Sequence, residues 1–289
     1  MIETLEDKSL NLSHKVVHSG VLLTSIDVDF RGGNGCSRIL HAPKLCLVIP
    51  RIGYLLSLAD TIQDYYSSID KEFLKIIENN FSWFEFDGSI INSQFPVGLL
   101  FDKHCKNHNS ILFNIKLVFQ NKNDMKTAIH CDKGSIFNNN LTKIITNNIK
   151  LSQTIMFGDC RRFQKLSKRE YQELFNSIFS LSRTTGNYEN VILRLFGPTQ
   201  EMFTNIKYIP VKIHVNNNSF LRSFKKDANN KLVEIVDIIN YIESEICIVL
   251  DKVDVVFHGI LLPLNTPLIF LTIFCSYIDG IIQLVLKSK

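Results

Sequence analysis

The stretch from Phe81 to Asp102 constrains the fold most strongly, because it joins a strand, a tight turn and a helix start within 22 residues. Its first part is aromatic and favours a strand, and Asp87-Gly88 after it is a turn signal. Pro96 then precedes the apolar segment Val97–Phe101, as at the first turn of a buried helix. The block predicts a small mixed α/β unit, and none of its residues indicates catalysis.

The same kinds of element recur in two parts of the chain. Short apolar runs predict strands, and apolar residues at three- and four-residue spacing predict helices. In the first part we predict strands at 45–49, around Trp83 and at 111–119, and a helix within 55–79. In the second part we predict strands at 208–215 and 253–257, a helix at 231–242, and a late helix and strand at 267–277 and 281–286. Both orders are compatible with a ubiquitin-like β-grasp.

The middle of the chain has a helical pattern, with apolar residues at suitable spacing over Leu141–Ile149 and Leu174–Phe179. Ser167 followed by Glu170 is a capping box and marks a helix start. Arg183–Gln200 contains glycine and proline and is interpreted as a linker or insertion. The predicted fold class is α+β, with two ubiquitin-like β-grasp domains flanking a helix-rich region. The predicted parts are an N-terminal entry with the first ubiquitin-like domain at 1–130, the helix-rich region with its linker at 131–200, and the second ubiquitin-like domain at 201–289.

Composition narrows the possible partners. The net charge of +4 and a pI near 8.6 are too weakly basic to favour nucleic acid, although they tolerate an anionic membrane surface. Seven cysteines without a CxxC pair, and no secretory or transit segment, predict free thiols in a reducing compartment. The apolar run 260–286 is interrupted by Pro263, Asn265 and Pro267, so we expect a buried helix and strand rather than a bilayer span.

A metal site is not predicted. His104, Cys105 and His108 have suitable residue types, and His130 and Cys131 add two more. A structural zinc site needs four ligands at paired spacings, however, and the second pair is missing. We interpret these residues as polar groups of loops, and predict neither a metal nor a cofactor.

Candidate catalytic residues are isolated. Cys160 is the best nucleophile, because Arg161 and Arg162 beside it would stabilise a thiolate, but no histidine partner is indicated. His258 follows a strand and is interpreted as a structural histidine beside a glycine turn. The glycines of 32–35 lack the Lys-Ser/Thr of a phosphate-binding loop. We predict no catalytic residues.

Four blocks of the chain together resemble the autophagy protein 5 family. FSWFEFDG followed by FPVGLLFD is similar to that family's WFEYEG and YPIGLLFD. The other blocks, in the same order, are IPRIGYLLSLADTIQDYY, IKYIPVKIHV and VVFHGILLPLNTPLIFLTIFCSYID, with a weaker upstream match in VHSGVLLTSIDVDF. The resemblance covers roughly residues 45–289 and implies two ubiquitin-like domains around a helix-rich region.

The resemblance also implies a function for one lysine. IKLSQTIMFGDC resembles the family's LKEAAYIINGNC, which identifies Lys150 as the residue that would receive the C-terminal glycine of autophagy protein 12. A non-covalent association with that protein is the alternative. Other implied partners are the N-terminal helix of autophagy protein 16, the autophagy conjugating enzyme and phosphatidylethanolamine-containing membranes.

The implied activity is that of a scaffold. The assembled complex would act like a ligase and promote lipidation of ubiquitin-like protein 8, while catalysis belongs to the conjugating enzyme's cysteine. The implied location is cytoplasmic, and peripheral on pre-autophagosomal membranes. Two other hypotheses stay open: a cysteine-dependent hydrolase or transferase that uses Cys160, and a β-grasp helix-binding module outside autophagy.

Overall fold

The computed structural model describes residues 20–31, 43–105, 112–121, 141–179, 188–216, 218–228, 231–246 and 253–288. They form two compact units, one within Val21–Thr142 and one that includes Lys143–Lys289. Each unit contains a five-stranded sheet.

The first unit has the topology of a β-grasp. Its elements are β1 (Val21–Arg31), β2 (Leu45–Pro50), a 3-10 turn (Leu55–Leu58), α1 (Ala59–Ile69), α2 (Phe73–Asn79), β3 (Asn80–Phe86), β4 (Ser89–Ile90), α3 (Val97–His104) and β5 (Leu112–Asn121). The strand order is β2-β1-β5-β3-β4, and the central pair, β1 and β5, is parallel. A parallel pair requires a crossover connection, which the intervening helices supply.

The long helix predicted within 55–79 is interrupted. α1 ends at Ile69, and Asp70 is extended, with ψ of 118°. The Asp70 carboxylate accepts a hydrogen bond from the Glu72 backbone N–H at 2.9 Å, a local bond that competes with the helix ladder. The apolar face nevertheless continues through the break, since Tyr66 and Phe73 are both buried and their rings lie 5.3 Å apart.

The Pro96 block docks α3 closely on the turn after β2. The Gly98 backbone N–H donates to the Arg51 carbonyl at 2.8 Å, and a Cβ at Gly98 would lie 2.8 Å from that oxygen. The Arg51 guanidinium is ion-paired with Asp102, whose side chain is 2% exposed. Glycine at position 98 therefore permits the close contact with Arg51, and Asp102 pairs with the charge of Arg51.

The second unit combines helices with a second sheet. Its elements are α4 (Leu141–Phe157, which begins two residues before the unit), α5 (Arg161–Gln164), α6 (Lys168–Phe179), α7 (Tyr188–Phe196), α8 (Thr199–Asn205), β6 (Tyr208–Val215), β7 (Asn218–Lys225), β8 (Asp227–Ala228), β9 (Lys231–Leu232), α9 (Ile235–Ile246), β10 (Val253–Phe257), β11 (Ile260–Leu261), α10 (Leu268–Cys275) and β12 (Ile282–Ser288). The strand order β11-β10-β12-β6-β7, with β12 parallel to β6, repeats the topology of the first sheet. The predicted fold class, two ubiquitin-like domains with a helix-rich region between them, is confirmed.

Two helices occupy much of the segment predicted to be a linker. α7 buries Val191, Leu195 and Phe196, which lie on one helical face. Gly197, with φ of +89°, ends α7, and Pro198 precedes the first turn of α8. Over residues 188–200 the chain is therefore helical rather than a structureless linker, with glycine and proline separating two short helices, and residues 183–187 of the predicted linker or insertion lie outside the described ranges. In the part of the chain that the structure describes, no helix is both long and apolar enough to cross a bilayer.

Candidate conjugation site

Helix α4 presents Lys150 on its half-exposed side. The helix is 17 residues long, and its buried side is formed by Leu141, Ile145, Ile149, Ser152, Gln153 and Met156. Lys150 lies beside this buried stripe and is itself half-buried. A lysine at such a position covers apolar surface with its methylene stem while its ammonium group stays accessible.

The buried side of α4 is hydrogen-bonded to the segment before β12. The Asn148 side-chain amide donates to the Asp279 carboxylate at 3.1 Å. The Ser152 hydroxyl is placed to donate to the Asp279 backbone carbonyl at 2.5 Å and to the Ile149 carbonyl of its own helix at 2.9 Å. Asn148 and Ser152 precede and follow Lys150 by two residues each, so these bonds hold the helix on both sides of the lysine.

Gly280 allows this close approach. Its φ of +73° is in the left-handed region, which glycine occupies without the steric cost of a Cβ. An added Cβ would lie 2.5 Å from the Phe196 ring of α7. Any residue other than glycine at position 280 would therefore strain the turn that positions Asp279 against α4.

Asp279 is a buried carboxylic acid whose charged form is partly stabilised by hydrogen bonds and by a nearby lysine. It is 1% exposed, and burial raises its pKa from 3.8 to about 6. The Ile281 N–H, the Asn148 amide and the charge of Lys212 act in the opposite direction. Burial also lowers the pKa of Lys212, which the charge of Asp279 in part offsets. Burial thus disfavours the charged forms of both Asp279 and Lys212, and Asp279 contacts the middle of the helix that presents Lys150.

A second set of contacts lies under the Lys150 ammonium group. Lys150 Nζ is 5.7 Å from the centroid of the Phe163 ring, within the range of a cation–π contact. The Phe163 backbone N–H donates to the Gln153 side-chain carbonyl at 3.1 Å, and the Gln153 amide donates to the Leu195 carbonyl at 2.8 Å. Gln153 is fully buried, and both ends of its side chain are therefore satisfied.

The residues around Lys150 were not predicted from sequence. Gln153 follows Ile149 by four residues, so it is a polar residue within the apolar stripe of α4, and this is a signal that could have identified it. Phe163 and Asp279 have no such signal, because their roles depend on the packing of separate elements.

Among the described residues, the two arginines that follow Cys160 are paired with carboxylates. Cys160 precedes α5 and is half-buried. The neighbouring Arg161 is ion-paired with Asp159 at 2.6 Å, and Arg162 is ion-paired with Glu201. The two cations that would stabilise a thiolate are therefore engaged by carboxylates.

The other candidates are structural or lie outside the described residues. His104 is half-buried, and burial and the adjacent Lys103 lower its pKa. His258 donates from Nε2 to the Cys275 carbonyl at 2.9 Å, and its ring stacks on Tyr277 at 4.2 Å. Within the described ranges, no group of three or more His, Cys, Asp or Glu side chains is arranged to hold a metal ion. The predictions for residues 32–35, 108 and 130–131 fall on residues outside the described ranges.

Comparisons with known proteins agree with this architecture. Residues 22–119 match the model of the UblA domain of autophagy protein ATG5, and residues 208–286 match that of its UblB domain. Autophagy protein 5 of Arabidopsis thaliana is 28% identical over 140 residues, which are 48% of this chain and 38% of the plant protein. The chain thus aligns with well under two thirds of that relative.

A solved structure supports the fold across the chain. The crystal structure of Kluyveromyces marxianus Atg5 is similar with a TM-score of 0.70, and the match covers 96% of this chain and 99% of that one. Since the sequence identity is 19%, this likeness concerns the fold alone. The two domain models together match more than half of the 289 residues, and the chain therefore belongs to the autophagy protein 5 family.

Proposed function

We propose that this protein is a non-catalytic scaffold of an autophagy conjugation complex. In this proposal it joins autophagy protein 12 through an isopeptide bond at Lys150, or non-covalently, and binds the N-terminal helix of autophagy protein 16. The complex cooperates with the autophagy conjugating enzyme and promotes transfer of ubiquitin-like protein 8 to phosphatidylethanolamine. It acts in the cytoplasm, peripherally on pre-autophagosomal membranes.

The observation that most supports the covalent form of the proposal is the setting of Lys150. An acceptor lysine needs an accessible amine on a backbone that does not yield when a large partner approaches. Lys150 lies in the middle of a 17-residue helix, on its half-exposed side. Hydrogen bonds from Asn148 and Ser152 to Asp279 hold the opposite side of that helix.

The non-catalytic role is supported by the environment of Cys160. The arginines beside the thiol are paired with Asp159 and Glu201, so their charges are directed to carboxylates rather than reserved for a thiolate. Membrane association would rest on basic residues such as Lys225, which is exposed, more than on Lys226, whose ammonium contacts Asp227 and the Phe203 carbonyl.

The experiment is co-expression of this chain with its autophagy protein 12 counterpart and the conjugation enzymes, read on denaturing gels. We expect a band of higher mass for the wild type and its loss in Lys150→Arg, because arginine keeps the charge but offers no acyl-accepting amine under these conditions. Lys143→Arg is the matched control, since Lys143 is an exposed lysine of the same helix.

Each outcome has a separate meaning. A shifted band in Lys150→Arg equal to that of wild type would refute Lys150 as the acceptor. The absence of any shifted band, with co-purification under native conditions, would leave the scaffold and remove the isopeptide. A complex and lipidation activity that depend on Cys160, tested with Cys160→Ser, would favour the enzyme hypothesis instead.

A further inference from the structure

Phe163 is placed to hold the Lys150 side chain in one direction. It belongs to α5, and 7% of its surface is exposed, so its ring is fixed by packing while one part of it meets the lysine. The Lys150 ammonium lies 5.7 Å from the ring centroid. The Phe163 ring also packs edge-on against the Tyr171 ring, with 6.1 Å between the ring centroids.

The ring is tied to the helix that carries the lysine. Gln153, three residues after Lys150, accepts the Phe163 N–H and donates to the Leu195 carbonyl. Lys150 and the Gln153 side chain that binds the Phe163 backbone are therefore both on helix α4. The Lys150–Phe163 distance is thus set by a contact with this helix.

We propose that Phe163 is the positioning residue for the Lys150 amine, and that Gln153 acts through Phe163. This inference rests on the proposed function of Lys150 as acceptor. Conjugation requires the neutral Nζ to attack the carbonyl carbon of an activated C-terminal carboxyl, a thioester of the conjugating enzyme. The new N–C bond forms, the C–S bond breaks with its electron pair on sulfur, and the proton leaves nitrogen for the thiolate or for water.

Confinement of the side chain favours this step. A free lysine loses much rotamer entropy when its amine must meet one carbonyl, and an aromatic face that already limits its rotamers lowers that loss. The Phe163 ring also packs against the apolar methylene stem of Lys150. Because this packing does not depend on the charge of the amine, it holds the side chain on the same side of α4 in both protonation states. We therefore expect the effect on the transfer step.

The test uses the full chain with three substitutions. Phe163→Leu removes the aromatic face and retains an apolar side chain, and Phe163→Tyr retains the face. Phe157→Leu is the matched control, because the cation–π contact of Phe157 is with Arg162, at 4.8 Å, whereas that of Lys150 is with Phe163. Thermal unfolding verifies that each variant is folded, and Phe163→Met replaces the leucine variant if that one is not.

Two readouts are combined. In protein whose lysines are reductively methylated with carbon-13, we expect the Lys150 signal, assigned by its loss in Lys150→Arg, to show a ring-current shift. That shift should vanish in Phe163→Leu and persist in Phe163→Tyr and Phe157→Leu. In unmethylated protein, kcat for transfer should fall about 2- to 5-fold in Phe163→Leu, the factor expected when a lysine side chain regains part of its rotamer freedom, with KM for the charged conjugating enzyme unchanged.

The outcomes separate the inference from the proposed function. An unchanged Lys150 signal and unchanged kcat in Phe163→Leu would overturn the role of Phe163, and so would an equal loss in Phe157→Leu or failure of Phe163→Tyr to restore kcat. If Lys150→Arg is still conjugated, the acceptor assignment fails, and the positioning role falls with it, even where the ring-current shift reports the contact itself.

Discussion

Replacing Asp279 by asparagine tests the electrostatics at the base of helix α4. The acid is buried and its pKa is raised from 3.8 to about 6, because burial disfavours the charged form more than its partners favour it. Asparagine preserves the shape and still accepts the Ile281 N–H, and Asn148 can turn its own amide oxygen toward the new amide. The substitution therefore removes a charge and retains the hydrogen bonds.

The magnitude follows from linkage between protonation and folding. Between pH 3.8 and about 6 the folded protein holds the Asp279 proton and the unfolded chain releases it, so the wild type loses stability as the pH rises through this range. At 1.36 kcal/mol per pKa unit, the loss is about 3 kcal/mol above pH 6. Asparagine does not ionise, and Asp279→Asn should gain that amount relative to wild type between pH 4 and pH 7.

The assay is urea unfolding of both proteins at pH 4, 5.5 and 7, with the difference in free energy of unfolding plotted against pH. Asp227→Asn is a control for loss of an exposed negative charge, because 56% of that side chain is accessible. Lys212→Met removes the nearby cation, whose charge lowers the pKa of Asp279. The pH range over which the protein loses stability should therefore extend to higher pH in this variant. If the difference in free energy of unfolding between wild type and Asp279→Asn does not change with pH, Asp279 is not the group that causes the pH-dependent loss of stability.

Two further substitutions test the packing of each unit. Arg51→Met leaves Asp102 buried without its cation, and we expect a loss of about 3–5 kcal/mol in urea unfolding, whereas a loss below about 1 kcal/mol would show that the pair does not anchor α3. Gly280→Ala should cost about 2–5 kcal/mol, since left-handed strain adds to overlap with Phe196. Gly158→Ala has the same strain with open space around it, so equal losses in the two alanine variants, measured by thermal unfolding, would contradict the overlap.

Sequence patterns were sufficient where structure is decided locally. The capping box is present, since the Ser167 N–H donates to the Glu170 carboxylate at 2.8 Å and the Glu170 N–H donates to the Ser167 hydroxyl at 3.3 Å. The strand, turn and helix of the Phe81–Asp102 block form as predicted, with Asp87 and Gly88 both at positive φ. Each of these elements depends on residues within a few positions of one another.

The patterns failed where short-range signals conflict with packing. Apolar spacing predicted one helix through residue 79, but a local hydrogen bond to the Asp70 side chain interrupts it. Apolar residues on both sides of the break, Tyr66 and Phe73, are nevertheless buried in the core. Glycine and proline suggested a linker before residue 200, whereas burial of Val191 and Leu195 makes α7 a helix.

The sequence by itself determined most of the element order, the β-grasp pattern of the two units and the resemblance to the family, because periodicity, turn residues and motif blocks are local features of the chain. It also indicated Lys150 as a candidate, through resemblance alone. Only the tertiary structure decided what surrounds that lysine. Phe163 is 13 residues away and Asp279 is 129 residues away, and contacts over such separations follow from how helices and sheet pack, which no local pattern specifies.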